Sequence, residues 1–164
     1  MVKIYYSFTE KEKSRKMLEY CLKLNGFEGE IKIGKNGKPY ADGIYFNISH
    51  SGDICMVAVS DKEVGLDVEQ IVPREWEKLS NRFYTEEERK RVSSLESFLV
   101  LWTKKESLIK YLGETLGDTV KASFENGVEY NGQAVAVNSI SSRFDDFIFT
   151  ITTPYTDYEK LLLM

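Results

Sequence analysis

Residues 96–112 constrain the fold more than any other stretch of this chain. At 100° per residue, Phe98, Leu101, Trp102, Leu108, Ile109 and Leu112 fall on one helical face, and Gly113 ends the pattern. An apolar stripe of that length has to be buried against other elements. Most of the remaining segments are strand-like. Residues 2–8 alternate apolar and polar, and 30–33 make a short strand. Residues 44–48, 54–60 and 63–69 read as three strands, the first two joined by the polar turn Ser49–Asp53. After the helix, 120–124, 134–140 and 147–152 read as strands again. Helical texture also follows Thr9, which pairs with Glu12 as a capping box. There Met17, Leu18, Cys21, Leu22 and Leu24 share a face that stops at Asn25-Gly26. The highly charged stretch 75–93 is helical too. The class is therefore α+β. With 164 residues the chain suits one compact unit or two small lobes, here divided as 1–70 and 71–164.

Charge and composition exclude several functions. The 22 basic and 26 acidic residues leave a net charge of −4, which argues against a general nucleic-acid binder. Residues 1–38 nevertheless hold nine basic and five acidic residues, a segment suited to an anionic ligand. No apolar run approaches the roughly 18 residues of a membrane span, and the first residues contain no secretory core. Cys21 and Cys55 sit in apolar patterns and cannot form a disulfide framework, so a reduced, cytoplasmic protein is expected. His50 is the one histidine, which rules out a multi-histidine metal site.

Four local patterns carry chemistry. In Val64-Gly65-Leu66-Asp67-Val68-Glu69, the apolar residues face one way and the two carboxylates the other, about 6.6 Å apart along a strand. On a solvated edge nothing follows from that pair. In a cleft it needs a cation, and oxygen-only ligands suit magnesium. Gly65 shares the carboxylate face and leaves room beside it. Lys105 falls near the middle of the apolar helical stripe, a local inconsistency of the kind that marks functional sites; a snorkelling lysine is the plainer reading. Glu106 and Lys110 are one turn apart at its border. Asn47-Ile48-Ser49-His50-Ser51 is either a polar hairpin end or a site. Gly34–Pro39 is a Gly- and Lys-rich turn whose backbone donors suit a phosphate. In addition, Thr85 and Glu88 fit a helix-opening capping box.

The order of these patterns resembles the 4′-phosphopantetheinyl transferases, closest to the surfactin-synthetase-activating type. The run is Gly37-Lys38-Pro39, Phe46–Ser51, Gly65–Glu69, Phe83-Tyr84-Thr85 with Glu88, and Trp102–Gly113. The resemblance implies two similar α+β lobes in a pseudo-two-fold arrangement with the site at their interface. It implies transfer of phosphopantetheine from coenzyme A to a serine of an apo acyl or peptidyl carrier protein. Magnesium is the implied cofactor, and adenosine 3′,5′-bisphosphate the second product. Asp67, Glu69 and Glu106 match the metal carboxylates. Lys110 matches the lysine on the phosphate under attack, and Ser49 and His50 match phosphate contacts. Gly37, Lys38 and Pro39 match the loop for adenine and 3′-phosphate. Glu88 matches a further active-site glutamate, and Lys105 matches the lysine before the metal glutamate. Relatives have a longer N-terminal segment. Among the early basic residues, Arg15 is the one expected to reach the 3′-phosphate. A monomer suffices for two fused half-sites. The alternative is a non-catalytic module, with a degenerate site, that binds coenzyme A or a carrier protein.

Overall fold

The structure is a computed structural model that describes residues 1–163. Along the chain, β1 (Val2–Phe8) and α1 (Ser14–Leu24) precede a short pair, β2 (Lys32–Ile33) and β3 (Pro39–Tyr40). Then come β4 (Tyr45–Ser51), β5 (Ile54–Ser60) and β6 (Gly65–Gln70). Three helices follow, α2 (Trp76–Phe83), α3 (Glu86–Lys90) and α4 (Leu95–Leu112). The remaining strands are β7 (Ala122–Ser123), β8 (Glu129–Tyr130), β9 (Gln133–Ala134), β10 (Asn138–Phe144), β11 (Phe147–Thr153) and β12 (Tyr158–Leu162).

Alternation along the strands builds the layers. A first sheet has the order β12-β1-β5-β4 and a second the order β10-β11-β6. On β5, Cys55, Val57 and Val59 face α1 and meet Met17, Leu18, Cys21 and Leu22. Ile54, Met56 and Ala58 point the other way and meet Leu66, Val68, Phe149 and Ile151 of the second sheet. Successive strand residues face opposite sides, so one fully buried strand can serve two cores. On the outer face of the second sheet lies α4. Its Thr103 and Ser107 hydroxyls meet those of Thr150 and Thr152 on β11 at 2.7 and 2.8 Å.

Several sequence expectations are corrected here. Strand pairing runs across residue 70. β6 pairs with β11, Asp67 opposite Thr150, while β12 returns to run parallel to β1, Val2 opposite Tyr158. Each half of the chain therefore completes the other's sheet. The stretch 75–93 is two helices, because Tyr84 is extended and Thr85 caps α3 instead. The Thr9–Glu12 box does not form: the Thr9 amide donates to Asp53 O at 2.7 Å, and the helix opens through a 3-10 turn at Lys11–Lys13. The sheet-facing side of α4 holds Thr103 and Ser107, off the apolar stripe. Its stripe residues Phe98 and Trp102 pack with Trp76, Leu79, Phe83 and Tyr84, so the helix is buried on two sides.

Candidate active site

The site grows from the way β6 is held. Its inner edge pairs with β11, but its other edge is met by side chains. On β4, Asn47, Ser49 and Ser51 point the same way. Asn47 Oδ1 accepts from the Leu66 amide (2.8 Å), Ser49 Oγ from Val68 (3.2 Å) and Ser51 Oγ from Gln70 (2.9 Å). Three polar side chains thus replace a backbone ladder and satisfy amides that would be costly to bury unpaired. They also fix the register, so that Leu66 and Val68 enter the core and Asp67 and Glu69 face α4.

Contact between β6 and α4 is unusually close. A Cβ on Gly65 would lie 1.9 Å from Ser107 O and 2.7 Å from Tyr111 N. The room that the absent side chain leaves on the carboxylate face is taken by the helix backbone. This approach brings Glu106 and Lys110 to β6. Lys110 does not pair with Glu106. Its ammonium crosses to Asp67 Oδ1 (2.9 Å), Leu66 O (3.0 Å) and Ser49 Oγ (3.1 Å). Ser49 Oγ in turn lies 3.2 Å from Asp67 Oδ1 and donates to it.

Three carboxyls therefore share one partly dry cleft. Burial pushes the Asp67 carboxyl up, opposed by Lys110 and Ser49. Burial and then the Asp67 charge raise Glu69, opposed by Arg74. Glu106 is raised to about 8, by burial first and then by Asp67, with Lys110 opposing. Asp67 Oδ2 and Glu106 Oε1 are buried without a hydrogen-bond partner. Among the described residues, no three acidic, histidine or cysteine side chains already stand at metal-binding separations. Two unpaired buried carboxylate oxygens, with Glu69 alongside, are nonetheless the hard oxygen donor set that a divalent cation such as magnesium uses. The residues fit such an ion.

Next to this cleft is an open cavity of about 610 Å³. Lys38, Pro39, Tyr40, Tyr45, Glu63 and Gly113 are among its lining residues. Lys38 Nζ donates to Glu63 Oε1 at 2.8 Å and to Tyr111 O at 3.3 Å, tying the 34–39 turn to the end of α4. His50 is exposed. Partial burial, Lys11 and Lys110 lower its pKa, in that order. Lys11 was missed by sequence reasoning. Only the β1–β5–β4 order carries residue 11 to residue 50, and no local pattern marks it.

Three expected site residues stand elsewhere. Lys105 is fully buried, and its ammonium is spent on Glu88 Oε1 (2.7 Å), Ala122 O (2.6 Å) and Phe83 O (3.3 Å). Glu88 is 1% exposed and also accepts from the Thr85 and Phe124 amides, both at 3.0 Å. The two form an internal brace that joins α2, α3, α4 and β7, with all three Lys105 donors taken. Arg15 pairs with Glu19 at 2.9 Å and lines a different hollow, with Phe27 and Ile31.

Known proteins are similar to this chain over part of its length. A family model described as the 4′-phosphopantetheinyl transferase superfamily matches residues 63–152. The 4′-phosphopantetheinyl transferase gsp of Aneurinibacillus migulanus is 40% identical over 107 residues, 61% of this chain and 45% of that protein. The 4′-phosphopantetheinyl transferase psf-1 of Bacillus pumilus is 35% identical over 108 residues, 60% of this chain and 46% of its own. AcpT of Escherichia coli (strain K12), a 4′-phosphopantetheinyl transferase, is 39% identical over 95 residues, 51% and 49% of the two chains. The chain spans about half the length of the curated relatives it matches.

Proposed function

The chain belongs to the 4′-phosphopantetheinyl transferase superfamily, and we propose that it moves phosphopantetheine from coenzyme A to a serine of an apo acyl or peptidyl carrier protein. The observation that supports this reading is the convergence of Lys110, Asp67 and Glu106 on one buried cleft with two carboxylate oxygens unpaired. The reaction forms a bond from the serine oxygen to the phosphopantetheine phosphorus. It breaks the pyrophosphate bond, and adenosine 3′,5′-bisphosphate leaves.

Such transfers depend on charge neutralisation and positioning more than on covalent help. Asp67, Glu69 and Glu106 would hold magnesium, which when bound supplies charge neutralisation at the pyrophosphate. Lys110 is anchored by Ser49 and Leu66 O, so its charge is presented at a fixed point for the phosphate under attack. His50 stands at the rim as a second phosphate contact. Lys38 and Pro39, in the wall of the adjoining cavity, receive the adenine and 3′-phosphate end. The serine proton needs an acceptor, and Glu106, beside the cleft, is one carboxyl within the site that could take it. Ser49 orients Asp67 and Lys110.

The test is intact mass of an apo acyl carrier protein incubated with the protein, coenzyme A and magnesium. One added phosphopantetheine group, lost on chelation and in Asp67→Ala, is the expected result. No added mass on several carriers, despite measurable coenzyme A binding, would make the chain a binding module instead.

A further inference from the structure

Arg74 has no part in the motifs read above, yet it is the cation on Glu69. Its Nη1 donates to Glu69 Oε2 at 3.2 Å and its Nη2 to Gln70 O at 3.0 Å. Both side chains of the pair are 24% exposed, so the contact is shielded more than an ordinary surface pair. The segment that delivers Arg74 is itself pinned. Ile71 N donates to Asp146 O (2.6 Å), Val72 N to Gln70 O (3.0 Å) and Trp76 N to Arg74 O (2.8 Å). Pro73 fixes its own backbone angle immediately before Arg74. A guanidinium held at two points on a fixed turn sets the direction of the carboxylate it grips.

We infer that Arg74 is a positioning residue: it grips one oxygen of Glu69 and leaves the other for the cation shared with Asp67 and Glu106. This rests on the reading of those three carboxylates as the metal set, and the two unpaired buried oxygens of Asp67 and Glu106 face the same need. Outer partners of metal ligands act in this way, by fixing orientation and charge. Arg74 also balances Glu69 before any cation arrives, so that the like charge of Asp67 does not turn the side chain away.

The experiment measures manganese binding to the full chain by electron paramagnetic resonance, without coenzyme A or carrier. Arg74→Met removes both donors and should raise the manganese dissociation constant about tenfold. Arg74→Lys keeps the charge without the two-point grip and should fall between. Melting temperatures close to that of the parent would show that the fold is intact. In turnover, the magnesium needed for half-maximal rate should rise by a similar factor, with the rate at saturating magnesium preserved. Unchanged or tighter manganese binding in Arg74→Met would overturn the inference, as would no binding by the parent up to millimolar manganese. A raised Michaelis constant for the carrier alone would overturn it too and assign Arg74 to docking. Because manganese is read without substrates, weakened binding in a chain that transfers nothing would sink the transferase reading and leave this one standing.

Discussion

Replacing Lys105 by methionine separates a brace from a substrate contact. The side chain keeps its length and apolar stem, but the ammonium and its three bonds to Glu88, Ala122 O and Phe83 O are gone. Glu88, 1% exposed, would then carry a charge with only two amides for company. Removing one partner of a buried pair costs about 3–5 kcal/mol, because the other charge is left uncompensated. In a chain of this size each kcal/mol is about 2–4 °C, so the melting temperature should drop by about 6–20 °C. Changing Glu88 to glutamine in the same chain removes the stranded charge, and the double variant should recover at least half of the loss. Thermal unfolding by circular dichroism measures all three, and coenzyme A kinetics are taken below the transition. A Lys105→Met protein that melts within about 2 °C of the parent would refute the brace. If that protein also showed a raised Michaelis constant for coenzyme A, Lys105 would be a substrate contact after all.

Gly65→Ala forces a Cβ to within 1.9 Å of Ser107 O, so α4 must retreat from β6 by roughly 1 Å. Overpacking of this kind costs about 1–3 kcal/mol, and the displaced Glu106 and Lys110 should lower transfer about 100-fold by intact mass; a parental rate would show that the helix yields freely. Burial pushes the Cys21 thiol up to about 12 and the Cys55 thiol to about 11. Native protein should therefore show almost no thiolate absorbance at pH 9–10. The unfolded chain releases those protons near its ordinary value of 9.0. The folded chain thus binds more protons above that pH, and stability falls as pH rises past it. Rapid reaction of native thiols with a disulfide reagent at pH 8 would contradict the burial.

Much of the site was legible because its signals are local. The alternation Val64–Glu69 places Asp67 opposite the core, and the i, i+4 spacing of Glu106 and Lys110 puts both at the edge of α4. The Thr85–Glu88 box forms as read. What stayed hidden depends on residues far apart in sequence. Lys105 looked like a functional intrusion because its partner Glu88 lies on another helix. Gly65 looked like space because α4's backbone, which fills it, comes some forty residues later. The Asn47, Ser49, Ser51 ladder was hidden too, since nothing in a sequence says that an amide oxygen and two hydroxyls will bond a neighbouring strand's amides. The pairing across residue 70 was hidden for the same reason: strand pairing, not proximity along the chain, assigns β6 to the second sheet.

The parallel pairing of β1 with β12 sets the order in which the molecule can be made. Val2 meets Tyr158 and Tyr6 meets Leu162 across nearly the whole described sequence. Such a contact closes a very long loop, whose entropy must be lost before the pairing returns anything. On a ribosome, β1 emerges before β12 and its outer edge has to wait for residues 158–162. Folding should therefore be slow for a chain of this length, with its rate set by topology more than by helix formation, and crowded synthesis should be the step at which it is most exposed to aggregation.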